Sequence, residues 1–538
     1  MTRTLSACAL FALSTAALAP GAAAPPDGPA IAFDDVTEGA GLKEPLAGLM
    51  GHGGAWGDVD GDGKPDLFVG GFCDRPNAEY KPAAGPVASA LFRNRGNGTF
   101  AQVADTPAKM FGRTSGAVFA DLNNDGRPEL YVANNARNKS KKTDEPQASA
   151  LTRRSTLLKN DSGAFVDVGK DSGACPDALL SARNVAVLDY DNDGLLDLLV
   201  IEDKFTAKPR TTLFRNESGL KFRDVTKDVG LPENVFGLGV AVADVNDDGR
   251  PDMLVPHSNK LFLSTKDGKY REATELAAVF AWKPLDGEDW PCGACFADLN
   301  RDGRLDLVLS LHSTKARNKV FLNDGVKAGV PQFRDVTKEV GLGDTVPVRC
   351  PHVEVQDFDN DGWPDVYLSA AYLEGGRVSP LVFHNLGARD GLPRFAPMWP
   401  VEKANAYYPA GPSCDYDGDG RVDLFLINWF QGNHSRLLRN TAAAKNWLDV
   451  RVTGTATNRD GIGAKVWVYE AGKLGKAEAL LGHQEIGVGY GYASGQLPVA
   501  HFGLDAAATV DVRVTLPGGK ATIDRPATKA NQVLAVKE

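Results

Sequence analysis

One acidic loop recurs seven times along the chain, and nothing else constrains the fold as tightly. Its first copy is Asp58-Val-Asp60-Gly-Asp62-Gly-Lys-Pro-Asp66. The second carries Asp121, Asn123, Asp125 and Glu129, and the third Asp189, Asp191, Asp193 and Asp197. The fourth carries Asp244, Asn246, Asp248 and Asp252, and the fifth Asp298, Asn300, Asp302 and Asp306. The sixth and seventh supply Asp357, Asp359, Asp361 and Asp365, then Asp415, Asp417, Asp419 and Asp423. Successive copies start 63, 68, 55, 54, 59 and 58 residues apart. An apolar run follows each, as in Leu67-Phe-Val69 or Leu424-Phe-Leu-Ile427. A second motif comes after the run: Leu91-Phe-Arg-Asn94, Leu213-Phe-Arg-Asn216, Val320-Phe-Leu-Asn323 and Val382-Phe-His-Asn385. A third precedes the loop: Phe33-Asp-Asp-Val-Thr37, Phe222-Arg-Asp-Val-Thr226 and Phe333-Arg-Asp-Val-Thr337, with weaker relatives at Phe100, Phe165, Tyr270 and Phe395. Each repeat therefore holds about four short β-type runs separated by Gly, Asn and Asp turns. Four strands repeated seven times predict an all-β fold, a seven-bladed β-propeller over residues 31–440. No sustained 3.6-residue period supports a helical solenoid.

The loop spacing, D-x-[DN]-x-D-G-x-x-[DE], is a cation site in outline. Side chains one, three and five converge, a glycine at six allows the sharp turn, and an acid at nine closes the cage. All are hard oxygen donors, as Ca²⁺ prefers. The seven loops bring 25 carboxylates together, which repel one another without a cation. Seven bound Ca²⁺ would move the formal charge from −10 to +4. An EF-hand shares the first half of this pattern but needs a bidentate Glu at position twelve. Here position twelve is Val69, Val132, Val200, Val255, Leu309, Leu368 and Leu426. Acidic turns without metal would share the same letters, yet seven copies with one ligand spacing favour about seven structural Ca²⁺. Their loss is expected to loosen the fold.

The start of the chain reads Met-Thr-Arg, an apolar stretch from Leu5 to Ala19, and Pro20-Gly-Ala-Ala-Ala-Pro25. This is the pattern of a signal peptide over residues 1–24, which predicts export to the periplasm or outside the cell. Leu5-Ser6-Ala7-Cys8 resembles a lipoprotein box but precedes the apolar core instead of following it. No other segment reaches the ~20 apolar residues of a membrane span. A net charge of −10 argues against a nucleic-acid partner. Beyond Cys8 there are six cysteines, Cys73, Cys175, Cys292, Cys295, Cys350 and Cys414. An even number in an exported chain permits disulfides without fixing their pairing. Cys292-Gly-Ala-Cys295 runs into a loop in strand-like surroundings, so a structural disulfide or small core residues fit better than a redox pair. The basic stretch Arg137–Lys142 with Arg153 and Arg154 reads as a solvated loop.

The Asp-Gly loops with their Phe-x-Asp-Val-Thr and Leu-Phe-x-Asn segments resemble the FG-GAP/VCBS repeats of integrin-like propellers. The tail adds Asn446-Trp-Leu-Asp-Val450, Asn458-Arg-Asp-Gly-Ile-Gly-Ala-Lys-Val466, Gly489-Tyr-Gly-Tyr-Ala-Ser494 and Val499-Ala-His-Phe-Gly-Leu504. These resemble an ASPIC/UnbV domain, expected over residues 445–538. Leu516-Pro-Gly-Gly519 departs from the Trp-Pro-Ser-Gly-like turn of that family. The resemblance implies a secreted, calcium-binding protein and specifies no reaction. Within the tail, short β-runs at Leu448–Arg451, Ala464–Tyr469, Val510–Thr515 and Gln532–Val536 fit a small β-sandwich-like module. Gly487, Gly489, Gly491 and Gly495 suit a bend or a close backbone approach.

If each acidic loop joins the first strand of a repeat to the second, all seven loops share one face. The segments entering the first strand and leaving the second then share the other. Candidate ligand-face residues on the way in are His52, Arg113, Arg183, Trp290, His352 and Tyr408, with Cys292 among them. On the way out stand Cys73, Asn134, Asp203, His257, His312 and Trp429. Propellers bind partners at such a channel mouth, and the similar integrin propellers use the face away from calcium. No G-x-S-x-G elbow, Walker loop, H-E-x-x-H or dinucleotide fingerprint occurs, so no catalytic residues are assigned. Three readings stay open. The first is an extracellular binding or adhesion module for a protein or glycan partner. The second is a carbohydrate-active enzyme or lectin. The third is a redox or metal-handling protein that uses the cysteines and histidines of that face, with His52, His257, His312 or His352 as metal ligands.

Overall fold

The computed structural model describes residues 30–73, 75, 86–135, 154–177, 181–203, 209–285, 290–342, 348–374, 377–398 and 405–538. The leader, Cys8 and the basic stretch 137–142 with Arg153 lie outside the described residues. The protein is all-β.

Each repeat forms one antiparallel sheet whose strands follow chain order. The first unit, for example, holds Gly54–Gly57, Asp66–Val69, Ala90–Asn94 and Phe100–Gln102. The third holds Ala182–Leu188, Asp197–Glu202, Thr211–Asn216 and Phe222–Asp224. The seventh departs from chain order. Its strands Ser413–Cys414, Asp423–Leu426 and Arg436–Asn440 are completed by Phe33–Asp35 from the start of the chain. Phe33 lies opposite Asn440 in that pairing.

The apolar runs after the acidic loops explain how the sheets stack. Successive strand residues point to opposite faces, so a strand covered on both sides must be apolar throughout. Leu67 and Val69 pack with Phe425 and Leu437 of the seventh unit, whereas Phe68 packs with Phe119 and Leu130 of the second. Leu198 and Val200 face Tyr131 of the second unit, and Leu199 and Ile201 face Met253 of the fourth. Seven apolar clusters of this kind each join two consecutive units, including the last with the first. Trp56, fully buried, belongs to the cluster between the seventh and first. Removing such a ring typically costs about 3–5 kcal/mol.

Two further motifs knit the strands. In Phe-x-Asp-Val-Thr the aspartate accepts from the threonine amide, as in Thr37 N to Asp35 Oδ1 at 3.1 Å. The threonine hydroxyl then accepts from a neighbouring strand: from Leu437 N at 2.9 Å, Leu213 N at 3.0 Å and Val320 N at 3.0 Å. The asparagine of Leu-Phe-x-Asn donates to the previous unit. Asn160 reaches Val59 O, Asn216 reaches Leu122 O, Asn323 reaches Val245 O, and Asn385 reaches Leu299 O. Asn440 reaches Phe358 O, and Asn94 reaches Tyr416 O. The fourth unit has Ser264 at this position, and its hydroxyl is buried without a partner.

The tail forms two sheets. One holds Ala500–Asp505, Asn446–Thr453 and Gln532–Lys537; the other holds Leu480–Glu485, Lys465–Glu470, Thr509–Thr515 and Thr522–Lys529. A common apolar core that includes Val450, Val466, Val512 and Phe502 lies with them. The four β-runs expected from sequence all form strands, and the other three complete the sheets.

None of the six described cysteines forms a disulfide, and all six are buried. Cys292 and Cys295 sit inside the strand Trp290–Ala297 as small core residues. Among the described residues no helix is long and apolar enough to cross a membrane.

Candidate functional site

The acidic loops connect the first and second strands of their units, and the backbone is built for the turn. The sixth position is glycine with positive φ, as at Gly63 (85°) and Gly194 (92°). The fourth also takes positive φ, at Asn124, Asn192, Asp247, Arg301 and Asn360, or is the glycine Gly61 or Gly418. The first aspartate accepts from the loop's own amides. Asp189 Oδ1 takes Asp193 N at 3.0 Å and its Oδ2 takes Gly194 N at 2.9 Å. The ninth-position acid ties the loop to the third strand, as Asp66 does to Asn94 N at 2.7 Å.

Four loops bring three carboxylates close together. Ligand atoms lie within 4.8 Å of one another in the groups Asp58, Asp60, Asp62 and Asp189, Asp191, Asp197. The same holds for Asp357, Asp359, Asp365 and Asp415, Asp417, Asp423. Burial pushes Asp66 and Asp189 up to about 7 and Asp415 up to about 6. Glu129 rises to about 8 through burial and the nearby Asp121 charge. Burial also holds Asp197, Asp252, Asp306, Asp365 and Asp423 well above the usual carboxylate range. Buried carboxylates in such numbers are costly unless paired with a cation.

The donor set fits a divalent cation. Asp191 Oδ1 and Asp417 Oδ1 are buried oxygens without a hydrogen-bond partner. Both stand at the third loop position, where a ligand atom is needed. In the second, fourth and fifth loops this position is Asn123, Asn246 or Asn300, whose amide donates to a loop carboxylate, as Asn300 does to Asp302 at 3.0 Å. Those three loops offer one charge fewer. Protein cations crowd several loops. Arg93, Arg215 and Arg439, the x of their Leu-Phe-x-Asn or related strands, pair with Asp60, Asp191 and Asp417. In the sixth loop His384 takes that place, 3.6 Å from Asp359 and 3.5 Å from Asp361.

The C-terminal domain sits on the loop face. Asp460 Oδ2 accepts from Asp121 N at 2.7 Å, and Arg459 N donates to Asn124 Oδ1 at 2.9 Å. Lys465 Nζ reaches Asp244 at 2.8 Å, and Lys445 Nζ reaches Asp359 at 2.9 Å. His501 joins Asp449 at 2.7 Å to Asn360 at 2.8 Å. Gly518 of the Leu-Pro-Gly-Gly turn lies against Asn192 and Gly249.

From this domain a glycine-rich tongue, residues 487–496, runs between the first strands of the units. Gly491 N donates to Val240 O at 3.0 Å and Ala294 O at 2.9 Å. Tyr492 N donates to His352 Nδ1 at 2.9 Å, and Ala493 N to Asn184 Oδ1 at 3.2 Å. Ser494–Gly495 pairs in parallel with Gly54–Gly57. The glycines are required by proximity. A Cβ at Gly489 would lie 2.2 Å from Val185 O, and one at Gly495 2.5 Å from Ala117 O. Gly487 has open space instead.

At the tongue's tip, Tyr492 Oη hydrogen-bonds His52 Nδ1 on the face away from the acidic loops. His52 stacks on Phe72 with centroids 5.1 Å apart and meets Trp429 edge-on at 4.1 Å. Trp290 stacks on His312 at 4.9 Å, and His312 meets Tyr407 at 6.1 Å. Arg183 pairs with Asp203 beneath Phe72. Of the residues expected at this mouth, His52, Arg113, Arg183 and Trp290 thus come together, with His312, Asp203 and Trp429 from the outgoing set. His352 is fully buried inside, bonded to Glu354 at 3.1 Å and to the tongue. Tyr408 lies elsewhere, fully buried and donating to Asn433 at 3.0 Å, while its neighbour Tyr407 faces the cluster. Among the described residues no metal-ligand group contains His52, His257, His312 or His352.

These features define an all-β repeat protein with acidic inter-strand loops and a β domain whose glycine-rich tongue runs between the first strands of the units. The FG-GAP-like repeat family matches residues 58–132, 189–255 and 298–368, and the ASPIC and UnbV family matches residues 454–538. The chain is therefore an FG-GAP-like repeat protein with a C-terminal ASPIC and UnbV domain. It is similar to cartilage acidic protein 1 of Homo sapiens, 26% identical over 517 residues, covering 90% of this chain and 72% of that protein. The Mus musculus protein of the same name is 26% identical over 500 residues, covering 88% and 71%. Among solved structures, the exotype rhamnogalacturonan lyase YesX aligns with a TM-score of 0.41 at 12% identity, covering 74% of this chain and 73% of that one.

Proposed function

We propose that the protein is an exported, calcium-loaded β-propeller of seven blades that serves as an extracellular binding module. Calcium is structural in the loops, and the partner binds on the opposite face. The observation that carries the calcium reading is the buried, unpartnered oxygen at the third position of two loops, Asp191 Oδ1 and Asp417 Oδ1. A hard divalent cation there would take oxygens from positions one, three, five and nine and offset their desolvation. Seven apolar interfaces and the Asn-to-carbonyl bonds between units support a closed ring of blades. Binding on the other face is supported by exclusion, since the ASPIC and UnbV domain covers the loop face. Export is supported by the leader pattern of residues 1–24. Cartilage, in the name of the similar proteins, is an extracellular tissue.

Equilibrium dialysis of the chelator-stripped mature chain against calcium tests this reading. Saturation near seven ions per chain is expected, with the all-carboxylate loops filling first because charge count tunes affinity. Asp191→Asn and Asp417→Asn should each weaken or remove one ion. A chain that takes up no calcium would sink the reading.

A further inference from the structure

Four acidic loops, the first, third, sixth and seventh, carry carboxylates at all four ligand positions. In three of them the x residue of Leu-Phe-x-Asn, or of the related strand, is an arginine laid over the loop. Arg93 pairs with Asp60 at 2.6 Å, and Arg215 pairs with Asp191 and Asp193 at 2.8 Å each. Arg439 pairs with Asp417 at 2.7 Å and Asp419 at 3.2 Å. A guanidinium only donates, so it fills that place with a fixed positive charge. The sixth unit has His384 there instead, on the strand Arg377–Arg389. A neutral imidazole brings no charge, but its unprotonated nitrogen is a metal ligand.

His384 Nε2 faces the loop, 3.6 Å from Asp359 Oδ2 and 3.5 Å from Asp361 Oδ2. The nitrogen is buried and has no hydrogen-bond partner. Both separations are too long for a good hydrogen bond. They match the edge of a small coordination shell, because ligands about 2.0–2.2 Å from one ion stand about 3.3–3.6 Å apart in a tetrahedron. The ligand atoms of Asp359, Asp361 and His384 all lie within 4.8 Å of one another. Asp359 belongs also to the group Asp357, Asp359, Asp365, so among the described residues the sixth loop alone contributes to two such groups. A carboxylate has an oxygen for each of two ions. Of the other contacts here, Lys445 Nζ reaches Asp359 Oδ2 at 2.9 Å, and Asp361 Oδ1 accepts from Trp363 N at 2.8 Å. Asp361 Oδ2 is thereby turned to the imidazole.

We propose that His384, Asp359 and Asp361 bind a zinc-class transition cation beside the calcium place of the sixth loop. One imidazole nitrogen and two carboxylate oxygens, with water in the fourth place, suit Zn²⁺. Ca²⁺ takes six to eight oxygens and gains little from a nitrogen donor. The ion stands where the guanidinium charge stands in the other three units, and the Lys445 ammonium yields the Asp359 oxygen to it. The proposal goes beyond the calcium reading, since it needs the conformation of the loop and a second kind of ion.

Calorimetric titration of the untagged mature chain with Zn²⁺, in saturating calcium, tests it, with calcium uptake measured in parallel. One Zn²⁺ should bind per chain. His384→Arg, which copies the other three units, should weaken that binding about a hundredfold or more, since even an outer-shell partner is worth about 10–100-fold. His384→Gln serves the same purpose where His384→Arg melts early. Zn²⁺ binding unchanged in both variants places the ion elsewhere and overturns the proposal. No Zn²⁺ bound by the folded chain at about 1 mM overturns it as well. A chain that takes up no calcium, yet binds Zn²⁺ and loses it with His384, overturns the calcium reading and leaves this site standing.

Discussion

Asn94 Nδ2 donates to Tyr416 O at 2.8 Å across 322 residues of chain. It links the first unit to the last, repeating a bond that five other units make with their predecessors. Both residues are buried, so deleting the donor leaves a carbonyl without its partner. Asn94→Ala should lower stability by about 1–3 kcal/mol in urea unfolding. An unchanged midpoint would mean that this link carries no load.

The fourth unit provides the reverse experiment. Ser264 occupies the asparagine position, and its hydroxyl has no partner. Ser264→Asn should supply the missing donor to the third unit and stabilise the chain by about 0.5–1.5 kcal/mol. A lower midpoint would show that the space there is already filled.

The tongue should tolerate no side chain at Gly491. Its φ is +75°, and a Cβ would lie 2.5 Å from His352 Nδ1. Gly491→Ala should therefore withdraw the tongue, raising hydrogen exchange and protease cleavage across residues 487–496. Gly487→Ala, where a Cβ meets nothing within 4 Å, is the matched control. Equal protection in both variants would contradict the threaded arrangement.

Two buried histidines, His483 and His52, should each make the protein less stable in acid. His483 stacks on Trp467 at 4.7 Å, and neither ring nitrogen has a hydrogen-bond partner. Burial and the Lys465 charge push its pKa down to about 3. The unfolded chain binds a proton near pH 6.5, and the folded chain binds it only near 3. Stability is thus full above about 6.5 and falls with pH below it, by up to about 1.4 kcal/mol per unit from this group. His52 acts in the same direction. His483→Gln should flatten the loss measured by urea unfolding between neutral pH and pH 5. Parallel losses in parent and variant would assign the effect to other groups.

The sequence period made the sheets legible because the second strand of each unit lies between two others, is covered on both faces and must be apolar throughout. Leu198-Leu-Val-Ile201 shows that requirement directly. In four loops the spacing also marked carboxylates that converge, since spacing decides which side chains turn toward one another. What spacing could not carry was partnership between distant segments. Phe33-Asp-Asp-Val-Thr37 was recognisable as a motif, yet its pairing with Arg436–Asn440 depends on how the chain ends meet. The glycines of the tail suggested close backbone approach, and three of the four make one. Nothing in their pattern named the first strands of the units as the surface approached, or Tyr492 as the partner of His52. Tyr407 and Tyr408 are adjacent, and only the local strand pairing turns Tyr407 toward the mouth. The recurring asparagine of Leu-Phe-x-Asn was visible in the sequence, whereas its bond to the preceding unit, missing at Ser264, was not.

Thermal melting of the mature chain with calcium and with excess EDTA tests the central claim most directly. Calcium that ties each loop in the folded state alone adds stability by mass action. The account predicts a large fall in melting temperature on chelation, restored by added Ca²⁺, alongside about seven ions per chain in the untreated protein. An unchanged melt with no bound calcium would contradict it and leave the seven acidic loops as metal-free turns.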